Sequence, residues 1–478
     1  MSNRPHDRVT APSPGGVLVV GEVARIAGRL DRIPPNRFHV RLAALLGTGT
    51  FFDGFDGFDA ISIAVVLTAI VTHFHLSITT ASLIVSGGYL GQLMGALVVG
   101  ALSERIGRRH AFVLCLISFG LLSLLAALSW SSTSLLVFRL LQGIGLGAEV
   151  PVAATLMNEY LSTGKRGRIG TLYQSLFAWG LFFPPLVTLL LVAAVGPQSA
   201  WRYLFAVGAI PALVGLYAWA KLPESARWLA GRGRLAEAEA LVVQVEAAAR
   251  DRGDVLPEPV VVLQHTSGIF RPSELFRGVY RGRTVTLWAA WFFASFINYG
   301  CSVWLPTLYI RLGGASPSTA LLLTAFVGGL SVVCVLAASL VIDRFGRRRV
   351  LITSFAIMAL GAMVGVFGVG VFGWSTLPVL ITAGAVIGIG APLALGPLWI
   401  YTGELYPTRM RSWATSAASG MNRAASIVSP LIIGAVLTAG GGISAIFSIL
   451  LACALVGATV ITTTAVETSH RSLEDIAS

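Results

Sequence analysis

GALSERIGRRH at 100–110 returns half a chain later as SLVIDRFGRRR at 339–349. A second pair follows the same offset closely. GIGLGAEVPVAATLMNEY (143–160) parallels GIGAPLALGPLWIYTGELY (388–406) and brings Glu159 onto Glu404. Each copy joins a glycine turn, clustered charge and a long apolar run. A chain that repeats all three at half its length is built from two related halves.

The apolar runs between these turns say where the halves live. Of 478 residues, 55% are hydrophobic and only 12% charged, against about a quarter charged in soluble proteins. The mean hydropathy is +0.79. Such a surplus has to face lipid. Measured against roughly 20 residues per crossing, the sequence offers twelve spans: 42–71, 80–101, 111–129, 135–160, 169–195, 202–221, 284–310, 317–342, 350–372, 376–402, 412–438 and 442–464. The expected fold is an all-α membrane protein with twelve transmembrane helices in two pseudo-symmetric six-helix bundles. Its expected parts are a cytoplasmic tail (1–41), an N-terminal bundle (42–221), a cytoplasmic central loop with short helices (222–283), a C-terminal bundle (284–464) and a second cytoplasmic tail (465–478).

Charge agrees. The formal net charge is +12, which by itself fits a nucleic-acid binder. Yet with both termini inside, every Lys and Arg falls in a tail or an inner loop except Arg139, Arg202, Arg311 and Arg423. That alternation is the positive-inside rule, and a nucleic-acid patch would not change sides between loops. The expected location is the inner (plasma) membrane, multi-pass. The first 40 residues are polar and Arg-rich, unlike a cleavable signal. Cys115, Cys301, Cys334 and Cys453 sit in apolar spans without a CxxC pair and read as small packing residues. His73 and His75 read as solvated. No Walker loop or metal-spaced His/Cys cluster appears, so no cofactor or metal is expected. In the central loop, 234–250 has apolar residues at 235, 238, 241, 242 and 245, an amphipathic period that Gly253 and Pro257 end. It is expected to lie as a helix against the bundle.

With these motifs the chain resembles the major facilitator superfamily, over nearly its whole length. Gly100, Glu104, Arg105, Gly107, Arg108 and Arg109 match that family's loop signature after span two, and Asp343, Arg344, Gly346, Arg347 and Arg348 repeat it. PESARW (223–228) after span six, Glu159, Arg166 and Arg168 after span four, and Glu404 to Arg411 after span ten are similar to the cytoplasmic charge network of its sugar-porter and metabolite:proton symporter branches. The resemblance implies a cytoplasmic gate of Glu104, Arg105, Arg108, Glu159, Arg168, Glu224, Asp343, Arg344, Arg347, Glu404 and Arg411. Carboxylates paired with arginines hold helix ends together, and separating them lets the halves open. Parallel repeats of this kind bind substrate between the halves near the midplane.

Charges at bilayer depth are costly and point to function. Span one reads FFDGFDGFDAISIA, with Asp53, Asp56 and Asp59 three residues apart, so neighbours lie near one face of a helix. Crowded, desolvated carboxylates take up protons readily. The segment resembles the DGxD pattern of aromatic-acid:proton symporters. The pattern occurs twice in overlap, and GFDAISIA favours Asp56 and Asp59. Arg139, in the outer half of span four, is expected to pair with Asp59 and respond to its proton. Gly143, Gly145 and Gly147 permit close helix approach. Glu149 near the midplane joins the proton path or is a structural acid. Arg423, deep in span eleven after Asn422, either holds an anionic substrate in bidentate geometry or makes an interhelical salt bridge. Gln174, Asn298, Tyr299 and Trp304 complete the expected substrate site.

These residues imply a proton-coupled symporter that takes up a small organic acid, with an aromatic carboxylate among the candidates, by alternating access. A sugar or polyol transporter of the same fold and a non-transporting membrane sensor are the rivals. No catalytic constellation is present, so an enzyme is not expected. The expected partners are a small anionic molecule, protons and the bilayer, with a monomeric chain and no nucleic acid.

Overall fold

The computed structural model describes residues 14–56, 63–161, 166–259, 272–406 and 408–468. Among them every regular element is a helix. The first half holds α1 (Pro14–Asp31), α2 (Arg37–Phe55), α3 (Ile63–Phe74), α4 (Ile78–Ile106), α5 (Arg108–Ala127), α6 (Ser132–Gly147), α7 (Glu149–Tyr160), α8 (Arg166–Val195), α9 (Pro197–Val207) and α10 (Ile210–Lys221). Then come α11 (Ala226–Gly231), α12 (Leu235–Arg250) and a 3-10 turn at Pro272–Phe276. The second half holds α13 (Gly278–Arg311), α14 (Pro317–Phe345), α15 (Arg347–Gly370), α16 (Thr376–Glu404), α17 (Thr408–Thr438) and α18 (Ile443–Thr464). Nine of the described helical stretches are long and apolar enough to cross a membrane. Large apolar side chains such as Leu190, Leu213 and Leu216 stand exposed on them, as a lipid-facing surface requires.

Helix breaks fall where the sequence supplies a reason. Gly107 and Gly346 turn the chain at the same place in each copy of the repeat, with φ of 97° and 83°, a backbone that costs only glycine nothing. Ala148 separates α6 from α7, and Gly208 with Ala209 separates α9 from α10. Within the first half α4 packs on α6, α5 on α6 and α10, and α2 on α8. Within the second, α15 packs on α16 and α18, and α13 on α17. The halves meet where α8 packs on α14, α4 on α17, and α3 on α13.

The described part of the N-terminal tail is more ordered than a plain tail. It forms α1, which packs on α11 and α12, and α2 begins ahead of the expected span. Helix α12 matches its apolar period by burying Ala238, Val242 and Val245, and adds Ala249. It also buries Glu246, which a count of apolar positions cannot find. Arg29 donates to Glu246 at 2.8 Å and Arg32 at 2.6 Å, and Arg29 also pairs with Glu239. Hydrogen bonds from Arg29 and then Arg32, against the opposing effect of burial, hold the Glu246 carboxyl down at about 2.

A carboxyl lowered on folding stabilises the fold above its ordinary value, and the contribution disappears as pH falls toward about 2. The clamp is therefore complete near neutral pH. Glu246→Gln is expected to cost about 1.5–3 kcal/mol, the worth of charged hydrogen bonds, and to speed proteolysis around α12 at neutral pH. Wild type should loosen comparably only in acid. Equal cleavage of the two proteins at neutral pH would show that the clamp does not hold α12.

Candidate functional site

A cavity of about 1360 Å³, its mouth included, lies where both halves meet. Its wall takes Asp53 from α2, Phe177 from α8, Asn298 and Tyr299 from α13, and Asn422 and Arg423 from α17. Trp291 and Trp399 form an aromatic corner, ring centroids 4.9 Å apart at 73°. Most of the remaining wall is apolar, with Ser and Thr hydroxyls of α14 and α17 among it.

Arg423 is buried. Its Nη1 donates to the side-chain oxygen of Gln92 on α4, and its Nη2 lies 3.7 Å from Asp53 Oδ2. The interhelical salt bridge anticipated as a rival to substrate contact is therefore present, and it stands in the cavity wall. Gln92 is a partner that sequence reading missed, because an amide in an apolar run carries no charge to flag it. Trp304 departs from the expected site. It is buried away from the cavity, and its indole N–H donates to the Pro430 carbonyl at 3.2 Å. Six residues beyond Asn298 it lies about 240° further round α13, facing α17. Trp291 and Trp399 line the wall in its place. The side chain of Gln174 lies outside the described residues.

A second buried pair sits inside the first half. Asp56 caps the C-terminus of α2. Nη1 of Arg139 reaches its two carboxylate oxygens at 3.0 and 3.2 Å. Gln142 accepts from the same nitrogen at 2.8 Å. Arg139 is only 1% exposed, with Phe205 beneath its guanidinium at 5.8 Å. Asp59, expected to face Arg139, lies outside the described residues, and among them the carboxylate on Arg139 is Asp56. Glu149 opens α7, fully buried, with the Thr50 hydroxyl 3.5 Å from Oε1 and Tyr173 bonded to that hydroxyl. Its Oε2 has no hydrogen-bond partner among the described residues. Glu149 is not part of the cavity wall, although Val150 and Pro151 are.

The charge cluster at the repeat turns is built twice. Arg108 pairs with Glu104 at 2.9 Å and Glu159 at 3.4 Å. Glu224 accepts the backbone N–H groups of Arg108 and Arg109 at 2.9 and 3.1 Å, at the first turn of α5. There a carboxylate satisfies donors that a helix leaves open and suits its dipole. In the second copy Arg347 grips Glu404 through two bonds, at 2.9 and 3.1 Å. Glu467 accepts the N–H groups of Arg347 and Arg348 at 2.9 and 3.1 Å. Glu467 was missed, though VETSHR (466–471) follows the last span as PESARW follows the sixth. Each described pair joins helix ends of the same half. Arg105 is exposed. The side chains of Arg168, Asp343, Arg344 and Arg411 lie outside the described residues.

Comparison with known proteins matches this architecture. The chain is 32% identical over 463 residues to the niacin transporter NiaP of Acinetobacter baylyi, covering 94% of this chain and 99% of that protein. It is 31% identical over 407 residues to a gallate transporter of Pseudomonas putida, covering 83% and 86%. It is 30% identical over 390 residues to the 4-hydroxybenzoate transporter PcaK of Pseudomonas aeruginosa, covering 78% and 81%. Among solved structures, the proton:xylose symporter XylE superposes with a TM-score of 0.72 at 21% identity, covering 92% of this chain and 98% of that one, a likeness of fold. The profile of the sugar (and other) transporter family matches residues 42–478. The chain belongs to that family, within the major facilitator superfamily, and is a membrane transporter rather than an enzyme.

Proposed function

We propose that this transporter takes up a small aromatic carboxylate together with protons, by alternating access between two six-helix bundles of a twelve-span chain with both termini in the cytoplasm. The observation that carries the reading is Arg423, a buried guanidinium in a largely apolar wall with an aromatic corner. A planar guanidinium suits a carboxylate, and aromatic side chains suit a flat ring by stacking or edge contact. The named cargoes of the relatives, niacin, gallate and 4-hydroxybenzoate, are all aromatic carboxylic acids. Asp56 on Arg139 is the proposed proton sensor, and Asp53, Asp59 and Glu149 are proposed to share its proton path. Neutralising Asp56 frees Arg139 and Gln142 and alters how α2 sits on α6. Glu104, Arg105, Arg108, Glu159, Arg168, Glu224 and the second set, Asp343, Arg344, Arg347, Glu404 and Arg411, are the proposed cytoplasmic gate.

Uptake into proteoliposomes tests this with labelled benzoate, nicotinate, 4-hydroxybenzoate and xylose, with and without an inward proton gradient. At least one carboxylate is expected to accumulate only with the gradient. Asp56→Asn should exchange that cargo without concentrating it. Arg423→Ala should lose about tenfold or more in affinity, the range for a lost charged hydrogen bond. Accumulation of xylose alone, or wild-type flux indifferent to the gradient, would overturn the proposal.

A further inference from the structure

Among the described residues Arg423 is the cation of the cavity wall, and it already faces a carboxylate of its own chain. Asp53 comes from α2 in the first half and Arg423 from α17 in the second, and both line the cavity. At 3.7 Å their contact is an ion pair too long for a hydrogen bond. A guanidinium carries five N–H donors. Among the described residues, Gln92 takes Nη1, Nε is buried with no hydrogen-bond partner, and Nη2 has only the distant Asp53. The edge formed by Nε and Nη2 is the one a carboxylate grips with two parallel bonds.

We infer that the cargo carboxylate and the Asp53 carboxylate compete for this edge of Arg423, so that the anion binds only when Asp53 holds a proton. The inference rests on the cargo being a carboxylate. In the empty site Asp53 carries one negative charge and Arg423 one positive. Seating an anion beside an ionised Asp53 would leave two carboxylates on one guanidinium in a water-poor wall, an arrangement that retains a proton. With Asp53 protonated, the anion takes the guanidinium and the net charge of the site is the same as when empty. One proton therefore enters with each monoanion at the binding site itself, in addition to the response of the Asp56–Arg139 pair that converts binding into net transport.

Other groups near Asp53 do not take over this role. Asp56 on the same helix is held by Arg139 of α6. Glu149 of α7 lies behind the wall against Thr50. Tyr173 of α8, Tyr89 of α4 and Tyr299 of α13 also face Asp53, and tyrosines are neutral near pH 7. Asp53 is the acid whose charge is balanced by Arg423.

The test is calorimetric titration of the purified full chain in detergent with benzoate and nicotinate, in buffers of different ionisation enthalpy, from about pH 6 to about pH 8.5. Wild type is expected to take up about one proton per carboxylate bound. Its affinity should fall about tenfold per pH unit where Asp53 is ionised, the slope that one linked proton imposes. Asp53→Asn should bind the same carboxylate without proton uptake and with a flat pH profile. Wild-type binding without proton uptake would overturn the inference while leaving the carboxylate cargo intact, and this decides the matter even if Asp53→Asn does not fold. Wild-type proton uptake persisting in Asp53→Asn would also overturn it. If wild type binds xylose and neither carboxylate at any pH, the cargo reading falls and this inference falls with it.

Discussion

Arg139→Met is expected to destabilise the protein by about 3–5 kcal/mol, the cost of breaking a buried ion pair by removing one partner. Asp56 is buried, its carboxylate receives both contacts from a single Arg139 nitrogen, and its other described donor is Gln142 at 3.4 Å. Methionine fills much of the arginine stem but leaves the carboxylate beside Phe205 and Leu204, in a small apolar recess. Asp56→Asn/Arg139→Met removes both charges and should recover most of the loss, because replacing a whole buried pair by neutral groups is often close to neutral. Heating detergent-solubilised protein and counting the monodisperse fraction by size exclusion measures both. The double variant should be stable yet unable to concentrate cargo, which separates folding from coupling. A single variant as stable as wild type would remove the pair from the account of stability. A double variant no better than the single one would show that Arg139 acts through packing alone.

That pair also marks where sequence reading reached its limit. Arg139 and Arg423 declared themselves because a charge in an apolar run is too costly to be incidental. Their partners did not. Aspartates three residues apart lie near one face of a helix, so spacing could not choose between Asp56 and Asp59, and the structure describes only the first. The repeat turns at Gly107 and Gly346 were readable because a tight turn needs glycine and its arginines recur. Glu467 was hidden by a weaker repeat at the chain's end. Glu246 escaped because amphipathic periods count apolar residues, and a buried carboxylate between arginines looks like a solvated one. Trp304 was misplaced for want of helix phase. Which face of the 34-residue α13 meets the cavity depends on how α14, α16 and α17 surround it, and no local pattern in α13 encodes that.

Gly143→Leu is expected to be at least as damaging as the broken pair, and for a reason readable from backbone contact. Helices α4 and α6 cross with Gly91 and Gly95 on one side and Gly143 and Gly147 on the other. A Cβ on Gly143 would land on the Gly88 carbonyl oxygen, within 2.9 Å of the Gln92 nitrogen and 3.0 Å of the Gly91 Cα. These are backbone atoms of an intact helix and cannot rotate aside as a side chain would. The helices must separate, so the cost should exceed the about 1–3 kcal/mol usual for an overpacked core. Separation also disturbs both charge sites at once. Gln92, which holds Arg423, rides on α4, while Arg139 and Gln142, which hold Asp56, ride on α6. Gly420→Leu in α17 is the matched control, since a Cβ there meets nothing within 4 Å. The fraction extracted as monodisperse protein should collapse for Gly143→Leu and stay near wild type for Gly420→Leu. Survivors of the first variant should lose carboxylate binding and gradient-driven uptake together. Should Gly143→Leu extract and transport like wild type, the close crossing of α4 and α6 would not be the frame on which the two arginines depend.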